Sequence, residues 1–439
     1  MLPPTWLSGA LQWPLWASAC CLGLLVCLLS LHVVEKLWAL ARFQRQYLVV
    51  YGLVMFADWL QGTHMYSLYQ SYGVNVGALF LTGFLSSVVF GNFVGPLVDK
   101  YGRRKACLVY CALEIAINLL EGIPMMEVLL LGRVLGGIST SLLFSAFESW
   151  MVTEHRVRGF SEGLLGKTFA LGSEINGVVA VVAGLVAQVT ADEFGDIGPF
   201  RAAVVLTAVA AAFVVSWSEN YGSRSKSTGK DAQKKITESS NVKCSSTLNA
   251  NAYALGFCYS LFEGAMYVFV FLWYPTLESV LPNGVLPSGL VFSSFMLCIA
   301  IGGKLFDLIE NSWLREEQLL VLTTATSAIS LLSPTVTDDY QYILAGFVVF
   351  EVCVGVVSPC CATLRGRYFP KDQLSTTLSL FRLPTNILVV VGTGGASYLT
   401  SDQLYYGCTA VLVIATGCAE KLVRSSSTES TSRRKLKAQ

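Results

Sequence analysis

The sequence predicts an all-α membrane protein of two six-helix bundles, joined by a polar linker and preceded by one extra apolar segment. Three observations predict it. Charged residues are 13% of the 439 positions and hydrophobic ones 54%, whereas soluble domains average about 25% charged. Apolar stretches of about 20 residues, the length that spans a bilayer as a helix, recur along the chain. The basic residues fall on every second loop.

Thirteen apolar segments can be read in order, at roughly 15–34, 47–69, 77–98, 106–120, 126–152, 165–189, 200–217, 251–274, 288–308, 318–333, 341–364, 375–399 and 404–422. They are too long and too continuously apolar for the alternating strands of a membrane barrel, and only helices or barrels satisfy their backbone in lipid. The first segment, with residues 1–46, reads as an extra N-terminal helix followed by a basic loop. A cleaved signal peptide is the competing reading, but Met1 to Trp16 carries no Lys or Arg, and the basic residues follow the apolar run. Residues 47–217 form the N-terminal bundle. Residues 218–250, rich in Ser and Lys, have the composition of a flexible linker. Residues 251–422 form the second bundle, and 423–439 read as a disordered basic tail.

Of the 30 Lys and Arg residues, all but Arg133, Arg201 and Arg382 lie on one alternating set of loops, the linker and the tail. By the positive-inside rule that set is cytoplasmic, which puts the N-terminus outside and the C-terminus inside. A net charge of +1 suggests no nucleic-acid partner. The 13 cysteines contain no CxxC pair and mostly sit inside apolar stretches, so they read as small packing residues. His64 has no second histidine nearby and predicts a packed imidazole, not a metal site. Trp59, Trp150, Trp217, Trp273 and Tyr274 at helix ends read as interfacial anchors. No nucleotide loop, cofactor loop or nucleophile–base pair appears, so neither an enzyme nor a primary pump is expected, and no cofactor.

The clearest motif runs from Gly95 through Asp99, Lys100, Gly102, Arg103, Arg104 and Lys105. It matches the G-x-L-x-D-x-x-G-R-R signature of the major facilitator superfamily. Its glycines suit close packing and a tight turn, and Asp99 can accept from helix amides or pair with a base. These residues are expected to gate rather than to touch cargo. Gly303-Lys304-Leu305-Phe306-Asp307 is a degraded echo in the second half, as an internal repeat requires. Arg133-x-x-x-Gly137 aligns with Glu351-x-x-x-Gly355, and Gln61-Gly62 with Glu263-Gly264.

Ionisable residues inside a bilayer are costly and default to functional suspects. Asp58, Glu114, Arg133, Glu148, Glu174, Glu263, Glu351 and Arg382 fall inside the apolar segments. Glu114, Glu148 and Glu174 read as packing charges, Glu148 within reach of Arg156 or Arg158. Arg133 and Arg382 are candidate anion holders, Asp58, Gln61 and Glu263 shape the cavity, and Glu351 pairs with an Arg when the site is empty.

Ala57-Asp58-Trp59-Leu60-Gln61, Gly132-Arg133 to Gly137, Phe147-Glu148-Ser149-Trp150, Trp217-x-Glu219-Asn220-Tyr221, Leu261-Phe262-Glu263 and Phe381-Arg382-Leu383-Pro384 together resemble the eukaryotic molybdate-anion transporter family. The likeness runs from about Tyr47 to about Val391. Glu174 and the tail have no match in that pattern. The resemblance implies uptake of a tetrahedral oxyanion, molybdate, across the plasma membrane by alternating access, with or without a coupling proton or ion. Transport of another solute (sulfate, a sugar or a metabolite) and a non-transporting receptor or scaffold on the same fold are the alternatives.

Overall fold

The computed structural model describes residues 42–160, 162–221, 248–281, 286–310, 314–369, 374–396 and 398–437. The first apolar segment and most of the linker lie outside them. Twelve long helices follow in order: α1 Arg42–Ser71, α2 Val76–Tyr101, α3 Arg103–Leu120, α4 Met126–Val157, α5 Glu162–Phe194, α6 Gly198–Val215, α7 Ala250–Val280, α8 Ser288–Glu310, α9 Glu316–Ser330, α10 Tyr340–Tyr368, α11 Leu374–Gly395 and α12 Ser401–Lys437. A single turn, Ser333–Val336, extends α9. Eight of the described helices are long and apolar enough to cross a membrane on composition alone. α1 and α3 are less apolar because they carry Gln61, His64, Glu114 and Asn118, which the bundle buries.

Polar side chains set several boundaries. Asn75 accepts from the Ala78 amide at 3.0 Å to start α2, and Asp339 accepts from Gln341 at 2.8 Å to start α10. Between α2 and α3 stands one residue, Gly102, at φ 111°, a region that favours glycine. Past Gly417 the chain has no glycine or proline to stop a helix. α12 accordingly continues through Lys437, where an irregular tail was expected from 423.

The principal helix pairs of the first half have counterparts six helices later. α1 packs on α5 and α6 as α7 packs on α11 and α12, and α2 on α4 as α8 on α10. α3 packs on α4 and α6 as α9 packs on α10 and α12. The halves meet through α2 against α11 and α5 against α8, which exchange under the same shift. The aligned motifs obey this symmetry. A Cβ at Gly137 would strike Ser86 of α2, and one at Gly355 would strike Ile299 of α8. Each glycine allows the close approach of its helix pair.

A set of hydrogen bonds and ring contacts joins the halves at one end. His64 bonds Ser288 Oγ at 2.9 Å, the Gly289 amide donates to Gln188 at 3.0 Å, and Gln70 donates to Glu278 at 2.9 Å. Tyr66 stacks among Phe271 and Tyr274, and Trp59 meets Phe292. All lie in the helix halves remote from the linker, here called the far face.

Candidate functional site

The sequence motif at the linker face folds into a clamp. Arg103 donates to Asp99 at 2.6 Å, one turn earlier, and also to Thr153 and to the Ser149 carbonyl of α4. Asp99 therefore takes the base, not the helix amides. Those amides, of Arg104 and Lys105, go to the Glu219 carboxylate at 2.9 and 3.2 Å. A Cβ on Gly102 would collide with Glu219. Gly95 differs from expectation: a Cβ there meets nothing within 4 Å, so it is not a close-packing glycine. Trp150 and Trp217 are buried and stacked at 3.8 Å, and Trp273 and Tyr274 are buried as well, so these rings pack the core instead of anchoring at an interface.

Arg133 does not face Glu351. It donates to Glu121 at 2.5 Å, and Tyr69 donates to the same carboxylate oxygen at 3.0 Å. The Tyr72 hydroxyl binds the Glu121 carbonyl at 2.9 Å, and Met65 Sδ accepts from Arg133 at 3.1 Å. Glu121, the C-cap of α3, turns inward to reach α4. Gln61 also turns into the N-terminal bundle. It donates to Glu114 at 2.9 Å, which further accepts from Ser139 at 2.5 Å. Glu114 is thus a packing charge, as its sequence context suggested. Glu351 is 4% exposed and has no arginine partner among the described residues. Asp58, half-buried on α1, lies near Glu114.

The charges that converge lie in the second half. Glu263 of α7 accepts from Thr385 of α11 at 3.3 Å, with Tyr259 one turn away on the same helix. Two guanidinium groups act on its carboxylate, from Arg382 of α11 and Arg365 of α10. Arg365 also lies over the Tyr259 ring at 4.6 Å. Phe381 is fixed against α7, its carbonyl accepting from Ser260 at 2.5 Å, which leaves the next residue, Arg382, exposed beside Glu263. Sequence reasoning missed Arg365 by reading it as a loop charge. The signal was its place three residues before Tyr368, inside the last turn of a helix that runs on past the apolar stretch. A cluster of two arginines, two hydroxyls and one carboxylate can bind an oxyanion through charge-assisted donors.

Two cavities complete the picture. One of about 390 Å³ opens at the far face among His64, Asp192, Asp196 and Glu278. The other, about 190 Å³, lies between α1, α4 and α5 in the first half.

Comparison with known proteins fits this geometry. Residues 16–358 match the MFS_5 family, described as sugar transporters with 12 transmembrane segments. Among solved structures, a D-xylose–proton symporter superposes with a TM-score of 0.65 at 11% identity, over 87% of this chain and 97% of its own. The nucleoside transporter NupG gives 0.65 at 10%, over 87% and 99%. A chain with this family match, and with this repeat among its described residues, is a secondary transporter of the major facilitator class. The molybdate-anion transporter of Xenopus laevis is 33% identical over 373 residues, 81% of this chain and 79% of that protein. That of Takifugu rubripes is 32% identical over 418 residues, 86% of each. The chain belongs to the molybdate-anion transporter family.

Proposed function

We propose that this protein carries molybdate into the cell across the plasma membrane, and that Arg382 and Arg365 hold the anion. The observation that carries the reading is the placement of Arg382 and Arg365, each within electrostatic reach of Glu263, between α7, α10 and α11. The names of the relatives supply the cargo. Among the described residues, Glu263 of the empty site stands within electrostatic reach of both arginines without forming an ion pair with either. A tetrahedral dianion bridges the two, with Tyr259 and Thr385 as further donors, and closing that bridge couples binding to rocking of the halves. Asp58 and Glu351 shape the cavity floor. Arg133 and Gln61 support the first half from within. The clamp of Asp99, Gly102, Arg103 and Arg104 guides movement at the linker face, with Gly95 on the same helix.

The Lys and Arg distribution supports a cytoplasmic linker face, which makes the far face extracellular. Carrying a dianion into a cell that is negative inside costs about 2.3 kcal/mol per charge per 100 mV, which favours a coupled cation. The description of the matching family as sugar transporters favours a second reading, a neutral polyol bound by Tyr259, Tyr267 and Glu263. Vesicle uptake of molybdate, competed in turn by tungstate, sulfate and a sugar, separates the two. Molybdate uptake blocked by tungstate supports the oxyanion, and a block by sugar alone sinks it.

A further inference from the structure

The cavity between α1, α4 and α5 is unlike the basic cluster it parallels in the second half. Its walls include Tyr47, Tyr51, Phe147, Glu148, Ser173 and Asn176, and no lysine or arginine lines it. Glu148 was expected to pair with Arg156 or Arg158. Arg158 instead donates to Glu154 at 2.7 Å, and Glu148 has no basic partner among the described residues. Its carboxylate is exposed and close enough to act on both tyrosines. Trp59 donates to Asn176 at 2.9 Å and fixes that amide in the wall. The pocket thus offers one carboxylate, hydroxyl, phenol and amide oxygens and aromatic faces, with no basic group, a set that suits a cation.

We infer that this pocket is the binding site of a monovalent coupling cation, with Glu148 as its charged ligand and Tyr51, Ser173 and Asn176 as neutral oxygens. The inference rests on the transport reading above for its purpose, but not for its chemistry. A dianion moved inward against a 100 mV potential faces roughly three decades of concentration disadvantage. A monovalent cation seated in one half, opposite an anion held by the other, offsets one of the two charges during the crossing and so about half of that disadvantage. Proton and alkali ion share this chemistry. The titratable groups near the pocket are Tyr47 and Tyr51 of α1, Asp58 two turns further along, Cys107 of α3 behind Tyr47, and Glu174 of α5, between the lining residues Ser173 and Asn176.

The test uses the full purified chain and two readouts. First, without molybdate, thermal stability is measured over a range of sodium at fixed pH and a range of pH at fixed sodium. The wild type is expected to be stabilised by one of the two, and Glu148→Gln to weaken that response roughly tenfold or more. Tyr51→Phe and Asn176→Ala give smaller losses and serve where Glu148→Gln does not fold. Second, in vesicles, the wild type accumulates molybdate under the same cation's gradient and Glu148→Gln does not. A wild type indifferent to both cations, or a Glu148→Gln protein that responds and accumulates like the wild type, overturns the inference. A cation response lost in Glu148→Gln, in a protein that moves no molybdate, keeps the site and removes the molybdate reading instead.

Discussion

Glu121, at the C-cap of α3, and Arg133, two turns into α4, form an ion pair at 2.5 Å with side chains 1% and 12% exposed. Removing one partner of a buried pair strands the other charge, at a cost of about 3–5 kcal/mol. Arg133→Ala is therefore expected to lower the melting temperature of the detergent-solubilised protein and to cut its surface level. The Glu121→Gln/Arg133→Met double variant recovers much of that loss. If Arg133→Ala keeps wild-type stability and loses only transport, the pair is not structural.

Arg382→Ala and Arg365→Ala are expected to leave folding intact and to weaken molybdate binding by about 1.5–3 kcal/mol each, the range for hydrogen bonds to charged groups. Lysine at either position restores charge without the planar fork and recovers only part. Uptake kinetics at matched protein levels check this. Arg365→Ala at wild-type affinity would remove that residue from the site.

The clamp at the linker face rests on Glu219, which caps α3 from the end of α6. Loss of a cap costs about 1 kcal/mol. Glu219→Ala should lower thermal stability by that amount, and Gly102→Ala by more, because it adds a side chain at φ 111° against Glu219. A hydrogen-exchange measurement should show faster exchange in the first turn of α3 and nowhere else in the first half.

The far-face seal has a pH dependence with a definite sign. Burial, and secondarily the Glu278 charge, raise the Asp196 carboxyl above the usual aspartate range, against the Ser67 hydroxyl, which lowers it. A group whose pKa is raised in the sealed state favours that state when protonated. Acid at the far face should thus favour the seal as pH falls toward the ordinary aspartate range, and neutral pH should release it. Cysteine accessibility at Ser71→Cys reports the change. An unaltered pH profile in Asp196→Asn contradicts it.

Much of the fold was legible because lipid permits few backbone solutions, so apolar length alone located twelve helices. The glycine echo, Gly137 against Gly355, was legible too, since close approach of a helix pair leaves a mark on sequence. Partner choice was not. Arg133 lies as near Glu121 in sequence as many other acids lie to other bases, and only the turn at Gly122 brings the two together. Gln61 and Glu263 align, yet one faces Glu114 inside its own bundle and the other faces two arginines. Symmetry fixes the position of a side chain and leaves its neighbours free to diverge. The extra N-terminal helix lies outside the described residues.

Because a set of hydrogen bonds and ring contacts joins the halves toward the far face, the two sides present opposite targets to an inhibitor. A compound arriving at the far face meets Asp192, Asp196 and Glu278, so blockers there should be cations. One arriving from the linker face meets Arg365 and Arg382, so blockers there should be anions. Pharmacology of this carrier would sort by charge and by side of application before it sorts by shape.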